Sequence, residues 1–262
     1  MTLNLSPSKL SCFANCGLHY KFQYVDKIPE PPTKDTVLGN ILHRALELLY
    51  LEPQWDRTPE RLCDGLNQAG REFHEDLNGV CGDDLDLYQE IVTTAMTFAH
   101  RIFAIEDPSI IECDTEGSLI VENDNWLLRG RYDRVDYNAD GTVTIIDYKS
   151  GKPPKKANER DKLRALMLYA GMFEILNPDL KVRDVKLVFL RSTPKGKIPV
   201  VVSAPVDSHE IDGGFMRVEA MAEAIQRGLD TGFKPKPGVL CGWCPYRDRC
   251  PEGDSYLRSK GK

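Results

Sequence analysis

The 262-residue sequence has no apolar run that approaches the roughly 20 residues needed for a membrane-spanning helix. Its N-terminal segment, MTLNLSPSKLSC, has no basic region followed by an apolar stretch and a small-residue cleavage site, so we do not expect a secretory signal. Internal repeats, long low-complexity segments and the G-x4-G-K-S/T motif of P-loop ATPases are also absent. We therefore expect a cytoplasmic protein with no membrane partner and no P-loop ATPase site of its own.

The composition is ordinary, but the charge is unevenly distributed. Hydrophobic residues make up 41% and charged residues 28%, values typical of a globular protein, and one core with added segments is the simplest arrangement for this length. The net charge is -6, yet residues 51–124 hold eighteen acidic and four basic side chains, whereas residues 149–197 hold thirteen basic and five acidic. The basic stretch suits a phosphate backbone, although a solvated lysine-rich face has the same composition.

Eight cysteines in a chain without a secretory signal are not expected to form disulfides, because reducing compartments keep thiols free. Cys241, Cys244 and Cys250 form the pattern C-x2-C-x5-C within CGWCPYRDRC. Three thiols this close together favour a metal ion or a metal cluster.

The apolar periodicity predicts helices over residues 7–24, 38–51, 58–76 and 84–105. It then changes to that of strands, which we interpret as a three-stranded meander of SIIECDTEGSLIV, NWLLRGRYDRVDY and TVTIIDYKS. A helix in ANERDKLRALMLYAGMFEIL, strands in VRDVKLVFLR and KIPVVVSA, and a helix within DSHEIDGGFMRVEAMAEAIQRGL follow. This order predicts a mixed α/β core preceded by a helical region.

The strongest chemical signal lies in the segments GRYD and IDYK. Period-two alternation puts Asp147 and Lys149 on the same face of one strand, and Asp133 can bring a second carboxylate to that face from a neighbouring strand. Two aspartates can hold a hard divalent cation such as Mg²⁺, and a lysine can stabilise charge on a phosphate or help deprotonate an attacking water. Taken alone, the same pattern also describes an exposed strand of alternating charge.

Motifs along nearly the whole chain resemble those of the PD-(D/E)xK nuclease superfamily, in particular the RecB/Cas4-like iron-sulfur exonucleases. Five elements stand in the family's order: C-x3-Y-x-F (Cys16 to Phe22), G-x3-H (Gly39 to His43), G-x-x-D (Gly130 to Asp133), D/E-x-K (Asp147 to Lys149) and C-x2-C-P-x4-C (Cys241 to Cys250). Each element is weak alone, but the ordered combination is specific.

The resemblance implies an α/β fold with a restriction-endonuclease-like core, in which a mixed sheet is flanked by helices. It implies an N-terminal helical region (1–108) with the first cluster cysteine and the histidine motif, a nuclease core (109–205), and a C-terminal helix and cysteine segment (206–262). The cysteine tail is expected to close on the N-terminal helix.

The same resemblance implies the catalytic residues. Asp133 and Asp147 would be metal ligands, Lys149 the catalytic lysine, and His43 a further ligand or a phosphate contact. Because imidazole suits Mn²⁺ better than Mg²⁺, either ion is expected. The family often adds an upstream glutamate, for which we choose Glu116.

Two points remain open at the level of sequence. Glu112 competes with Glu116 for the role of the upstream glutamate. In addition, the family commonly has a glutamine four residues before the tyrosine of the following helix, and Ala165 stands there in this chain. We expect that helix to contact DNA through Tyr169, Lys162 or Arg164.

For the cysteines, the resemblance implies a [4Fe-4S] cluster held by Cys16, Cys241, Cys244 and Cys250. Four thiolates can equally hold a tetrahedral Zn²⁺, and Cys12 is a rival for the fourth position. Such a cluster would join the first helix to the C-terminal tail, so its role is expected to be structural. The remaining cysteines, Cys63, Cys81 and Cys113, are expected to be buried thiols.

The resulting prediction is a metal-dependent DNA nuclease, with exonuclease action, that serves DNA recombination, repair or processing in a bacterium or virus. Its partners would be single-stranded DNA or duplex ends, together with a separate helicase or recombination protein. The alternatives are a catalytically idle DNA-binding or recombination scaffold that keeps the cluster fold, and a zinc-stabilised protein-interaction module.

Overall fold

The computed structural model describes residues 2–191 and 198–261. The helices are α1 (Pro7–Asn15), α2 (Gly17–Tyr20), α3 (Lys34–Leu51), α4 (Pro59–Glu72), α5 (His74–Cys81), α6 (Leu85–His100), α7 (Glu159–Leu176), α8 (Ser208–Thr231) and α9 (Pro251–Ser259). The strands are β1 (Leu3–Leu5), β2 (Cys113–Thr115), β3 (Ser118–Glu122), β4 (Trp126–Arg131), β5 (Arg134–Tyr137), β6 (Val143–Lys149), β7 (Val182–Phe189) and β8 (Val200–Pro205).

The chain forms two compact units. The terminal unit consists of Met1–Pro31, Ile120–Gly130 and Asp212–Lys262, and the central unit consists of Pro32–Leu119 and Arg131–Ile211. The division at residues 108 and 205 expected from the sequence stays a prediction. Among the described residues, no helix is long and apolar enough to cross a membrane.

The central unit is built around a mixed five-stranded sheet with the order β2-β5-β6-β7-β8. Strands β6 and β7 are parallel, and α7 connects them, whereas the other neighbours are antiparallel. A parallel pair requires such a crossover because a tight turn cannot return the chain in the same direction. This mixed sheet with flanking helices confirms the predicted α/β fold class.

Helix α3 supplies one side of the site in the central unit. It begins at a capping box, in which the side chains and backbone N–H groups of Thr33 and Thr36 bond reciprocally. Pairs of buried apolar residues recur every four positions, from Val37 and Leu38 to Leu49 and Tyr50, and pack into the core. Because residues four apart lie on the same face of a helix, Gly39, His43 and Glu47 line up along a less buried edge.

The predicted meander is wrong in one respect, because its first two strands each divide between two sheets. NWLLRGRYDRVDY forms β4, which pairs with β1 and β3, and then β5, which pairs with β2 and β6. SIIECDTEGSLIV divides in the same way into β2 and β3. Alternation continues through both segments, so the sequence pattern could not indicate the change of sheet.

Hydrogen bonds fix the two chain segments where the strands change sheet. The N–H of Glu116 donates to the carbonyl of Asp133 at 3.0 Å, and that of Tyr132 donates to the carbonyl of Gly117 at 3.1 Å. Glu116 has a φ of 54°, which side-chain-bearing residues rarely adopt. A Cβ atom at Gly117 would lie 2.0 Å from the end of the Tyr132 side chain, so any larger residue there would displace that ring.

The predicted helix over residues 7–24 is also interrupted. Helix α1 ends at Asn15, Cys16 is extended, and α2 is followed by a π-helical turn over Lys21–Val25. Similarly, residues 58–76 divide into α4 and the start of α5, and α6 gives way to a 3₁₀ turn after His100. Lys197, the first residue of the predicted strand KIPVVVSA, lies outside the described residues, and β8 begins at Val200.

A buried arginine connects the sheet of the central unit to the segment after α6. Arg134 is fully buried, and its guanidinium donates to both carboxylate oxygens of Glu106, at 2.6 and 2.9 Å, and to the Tyr148 hydroxyl at 2.7 Å. It also lies 4.2 Å from the centre of the Tyr50 ring and pairs with Asp136. These contacts hold β5 and β6 in register behind the residues that carry the acidic side chains.

The terminal unit holds the sheet β1-β4-β3 and the two ends of the chain. The Trp126 indole donates to Glu219 of α8 at 2.6 Å, and the rings of Phe13, Tyr20 and Phe233 pack edge to face or tilted. The Tyr246 hydroxyl donates to the carbonyl of Ile28 at 2.7 Å. The C-terminal cysteine segment therefore closes on the N-terminal helices, as expected.

Candidate active site

Three side chains from different parts of the central unit converge at the less buried edge of α3. The His43 ring, through Nδ1, lies 3.2 Å from Asp133 Oδ1. One possible ligand atom of each of His43, Glu116 and Asp133 lies within 4.8 Å of the other two. Glu112, the competitor of Glu116, is exposed, and the structure brings only Glu116 into this group.

Strand β6 adds a second carboxylate and the lysine. Lys149 Nζ lies 2.5 Å from Asp147 Oδ2, so the two side chains share a face as the alternation predicted. The N–H of Tyr148, between them, donates to Asp133 Oδ2 at 2.6 Å and ties Asp133 to the same strand. Asp147 lies outside the compact group of three possible ligands. Its Oδ2 is buried, and its contact with Lys149 is an ion pair whose angles do not suit a hydrogen bond.

Electrostatics make this region strongly unfavourable for uncompensated negative charge. Burial, followed by the charge of Asp133, raises the pKa of Glu116 to about 7. Burial also raises the pKa of Asp147, and the charge of Asp133 adds to the effect. Burial opposes protonation of His43, but its hydrogen bond to Asp133 and the nearby carboxylates outweigh burial and raise the pKa of the imidazole. A bound cation would relieve this repulsion.

The predicted substrate residues lie on α7 in two different environments. Tyr169 is half-buried, and burial, followed by the charge of Asp147, raises the pKa of its hydroxyl to about 12, so the ring lies near the acidic side chains. Lys162 and Arg164 are exposed, and Arg164 pairs with Asp161 at 2.7 Å. Ala165, at the position of the family's glutamine, is half-buried.

A second constellation lies in the terminal unit, where five cysteines, among them the four expected cluster ligands, line a cavity of about 390 Å³. Backbone N–H groups point at three sulfurs: Lys236 at Cys16 (3.4 Å), Gly238 at Cys241 (3.4 Å) and Gly253 at Cys250 (3.3 Å). The fourth sulfur, of Cys244, lies 3.9 Å from His19 Nδ1. Cys12 lines the same cavity, but its thiol donates to Gln23 at 3.5 Å, and burial raises its pKa to about 12.

The profile of the PD-(D/E)XK nuclease superfamily matches residues 4–251 of this chain, which is nearly its whole length. The chain belongs to the PD-(D/E)xK nuclease superfamily.

Relatives of this PD-(D/E)xK chain include large bacterial proteins, each named as a subunit of an ATP-dependent helicase/deoxyribonuclease. The protein of Streptococcus mutans serotype c is 28% identical over 162 residues, which cover 57% of this chain and 14% of the relative. The protein of Streptococcus agalactiae serotype Ia is 25% identical over 157 residues, which cover 56% of this chain and 14% of the relative. The chain thus matches about a seventh of the length of these relatives.

The fold also has a counterpart among solved structures. A crystal structure from Eubacterium rectale, of a protein provisionally named an exonuclease, superposes with a TM-score of 0.57 at 13% sequence identity. The similarity covers 93% of this chain and 87% of that protein. At this identity the comparison shows that the PD-(D/E)xK chain shares its fold.

Two residues that the sequence patterns did not single out line the candidate active-site cleft of this PD-(D/E)xK chain. Together with His43, Glu116 and Asp133, Glu47 and Arg131 border a cleft of about 640 Å³ in the central unit. Arg131 pairs with Glu116, and the charge of Glu47 contributes to the raised pKa of Glu116. The spacing of Glu47 four residues after His43 on a helix was the signal that could have found it.

Proposed function

We propose that this chain is a divalent-metal-dependent deoxyribonuclease that acts as an exonuclease. The convergence of His43, Glu116 and Asp133 beside the Asp147–Lys149 pair carries the proposal. These groups come from α3, from the segments where the strands change sheet, and from β6, so no single element supplies them. A site assembled in this way inside a PD-(D/E)xK nuclease fold supports phosphodiester hydrolysis over a structural role for the same residues.

The chemistry of the donor set fits a divalent cation. The carboxylates are the hard oxygen ligands that Mg²⁺ prefers, and the imidazole of His43 makes the site equally suitable for Mn²⁺. Asp147 Oδ2 is buried and balanced by Lys149 Nζ at 2.5 Å, but Asp133 and Glu116 place further negative charge nearby, which a bound cation would compensate. We propose His43, Asp133 and Asp147 as ligands, with Glu116 as a further acidic ligand.

Each side chain then has a distinct task in hydrolysis. When bound, the cation polarises the scissile phosphate and balances its developing charge. Lys149 is 45% exposed, so its ammonium can reach a phosphate or orient a water while it stays beside Asp147. Tyr169, near Asp147, can position the DNA strand. Lys162 and Arg164, which lie earlier on α7, can contact the phosphate backbone of the DNA.

We further propose that Cys16, Cys241, Cys244 and Cys250 hold a [4Fe-4S] cluster. Backbone N–H groups directed at three of the sulfurs would stabilise thiolates, whereas burial raises the pKa of Cys244 and Cys250. Bound iron would supply the positive charge that holds all four as thiolates. A tetrahedral zinc site needs sulfurs roughly 3.8 Å apart. Within the described chain no three of these sulfurs all lie within 4.8 Å of one another, which favours the larger cluster.

The small space beside the cysteines also suits a cluster. A Cβ atom at Gly253 would lie 3.3 Å from Cys250 Sγ and 3.4 Å from Cys241 Sγ. Glycine therefore leaves this side of the cavity free, whereas a side chain there would crowd the Cys250 sulfur.

The biological setting is proposed by analogy with the relatives. Their name joins a helicase and a deoxyribonuclease activity, and the sequence of this chain contains no P-loop motif of its own. We propose that the chain processes single-stranded DNA or duplex ends beside a separate helicase or recombination protein, in DNA recombination or repair.

The nuclease proposal is tested with anaerobically purified protein on end-labelled single- and double-stranded DNA, with Mg²⁺ or Mn²⁺. We expect metal-dependent cleavage from an end, and Asp147→Asn and Lys149→Ala should each lower the rate at least roughly 100-fold because charge balance at the phosphate is lost. Asp179→Asn, an exposed aspartate outside the site, is the matched control and should cleave normally. Absence of cleavage by cluster-containing wild-type protein would favour the idle scaffold.

A further inference from the structure

A second groove lies in the terminal unit, on the C-terminal cysteine segment. It has a volume of about 440 Å³ and is lined by Val239, Gly242, Trp243, Arg247, Tyr256, Leu257 and Lys260. These residues come from the 3₁₀ turn over Val239–Trp243, from a second 3₁₀ turn over Arg247–Arg249, and from α9 and its end. None of them belongs to the set proposed to hold metal or cluster.

Trp243 lines both this groove and the thiol cavity, yet most of its ring is open to solvent. The side chain is 77% exposed, although tryptophan is usually largely buried in folded proteins. It stands between Cys241 and Cys244, both of which are half-buried and line the thiol cavity. The segment therefore holds the ring away from the core of the unit, as a surface available for contact.

Cations and a second aromatic ring complete the groove. Lys260 Nζ lies 5.9 Å from the centre of the Tyr256 ring, and Arg247 is 44% exposed. No carboxylate is among the lining residues that the structure describes. Outside the lining, Asp254 pairs with Arg258 and more distantly, at 3.5 Å, with Arg247. The groove thus combines ring surfaces with two cationic side chains, of which Arg247 shares Asp254 with Arg258.

We propose that this groove binds a nucleobase of single-stranded DNA, stacked against Trp243 and Tyr256, with the adjoining phosphates contacted by Arg247 and Lys260. Aromatic platforms flanked by cations recognise single strands because every base has a π face and every linkage a negative charge. An apolar peptide would offer neither cation an anion, whereas each nucleotide linkage supplies one. The choice of DNA over other nucleic acids rests on the proposed nuclease function.

The groove and the cysteines share one scaffold. Trp243 follows Cys241 by two residues, and Cys250 precedes α9, where its sulfur accepts from the N–H of Gly253 at 3.3 Å. Helix α9 carries Tyr256, and Lys260 follows its end. Anything that fixes these thiols therefore also fixes the distance between the two rings.

The test measures binding by fluorescence anisotropy, in the full-length Asp147→Asn background without added divalent metal. The probes are fluorescein-labelled oligo(dT) and an abasic strand of the same length. We expect Trp243→Ala to raise the Kd for oligo(dT) roughly ten-fold or more, with under about a two-fold change for the abasic strand, because only the stacked base is lost. Trp243→Phe should keep most of the affinity.

Trp55, which is 83% exposed and lies in the central unit, provides the matched control, and Trp55→Ala should bind both strands normally. The double variant Arg247→Gln and Lys260→Gln should weaken both probes and lower the salt dependence of binding. Circular dichroism and absorbance near 400 nm establish that each variant is folded and equally loaded.

Equal oligo(dT) affinity for wild type and a folded Trp243→Ala variant would overturn the groove proposal, as would a failure of the parent protein to bind oligo(dT). These outcomes are separate from the cleavage assay. Cleavage without any effect of Trp243→Ala rejects the groove alone, whereas base-dependent binding at Trp243 without cleavage in the wild type supports the groove and rejects the nuclease.

Discussion

Glu116 combines an unusual backbone conformation with a half-buried carboxylate. Its φ of 54° turns the chain between β2 and β3, and the turn brings the side chain to His43 and Asp133. A positive φ on a residue with a side chain costs roughly 1 kcal/mol or more, which the hydrogen bonds around it must offset. The strained turn is therefore part of what assembles the acidic site.

Substitution of the two candidate glutamates separates their roles. Glu116→Gln should weaken Mn²⁺ binding roughly ten-fold or more, because a charged ligand is replaced by a neutral amide. The measurement is the free Mn²⁺ signal in an electron paramagnetic resonance titration. Glu112→Gln is the matched control, since Glu112 is exposed, and it should bind Mn²⁺ normally. Equal weakening by both changes would contradict the assignment.

At the scale of elements, β5 and β6 depend on the buried ion group around Arg134. The guanidinium is fully buried and pairs with the largely buried carboxylates of Glu106 and Asp136. It also donates to the hydroxyl of Tyr148, the residue between Asp147 and Lys149. Removal of one partner from a buried pair leaves an uncompensated charge, which is more costly than the pair itself is stabilising. The stability of the two strands therefore depends on this one side chain.

Arg134→Met should accordingly lower the free energy of unfolding by ~3–5 kcal/mol, measured by urea denaturation. Arg183→Met is the matched control, because Arg183 also pairs with two aspartates, Asp140 and Asp184, but is 47% exposed. Its loss should leave the urea midpoint nearly unchanged, because water and salt screen an exposed pair. A similar small loss for Arg134→Met would show that the buried group adds little to stability.

At the scale of the whole molecule, the chain returns to its N-terminal helices to complete the terminal unit. Cys16 and Cys241 lie at opposite ends of the sequence, and their sulfurs line the same cavity. After α8, the buried hydrophobic side chains among the described residues are those of Tyr246 and Leu257. A covalent link between the two ends would therefore contribute much of the stability of this region.

Cys16→Ser should remove most of the absorbance near 400 nm, reduce the iron content well below about four per chain, and lower the first thermal transition. Cys12→Ser tests the rival ligand and should keep the cluster, because Cys12 is engaged with Gln23. Cys63→Ser, in the central unit, is the neutral control. Zinc in place of iron in the purified wild-type protein would contradict the cluster proposal.

Local patterns along the chain determined several features without any tertiary information. The paired apolar positions of α3 and the alternation in β6 were sufficient to indicate which residues share a face, because a helix and a strand each have a fixed side-chain period. Asp147 and Lys149 were placed together for this reason, and the ordered motifs indicated the superfamily.

Only the tertiary structure decided which distant groups meet. The changes of sheet at Glu116 and Asp133 are invisible to period-two alternation, so the sequence favoured neither Glu116 nor Glu112 on physical grounds. Glu47 and Arg131 line the same cleft, and the four thiols line the same cavity, because segments far apart in the chain pack together. Short-range patterns record the conformation of each segment, whereas long-range contacts depend on how the buried faces of all segments pack together.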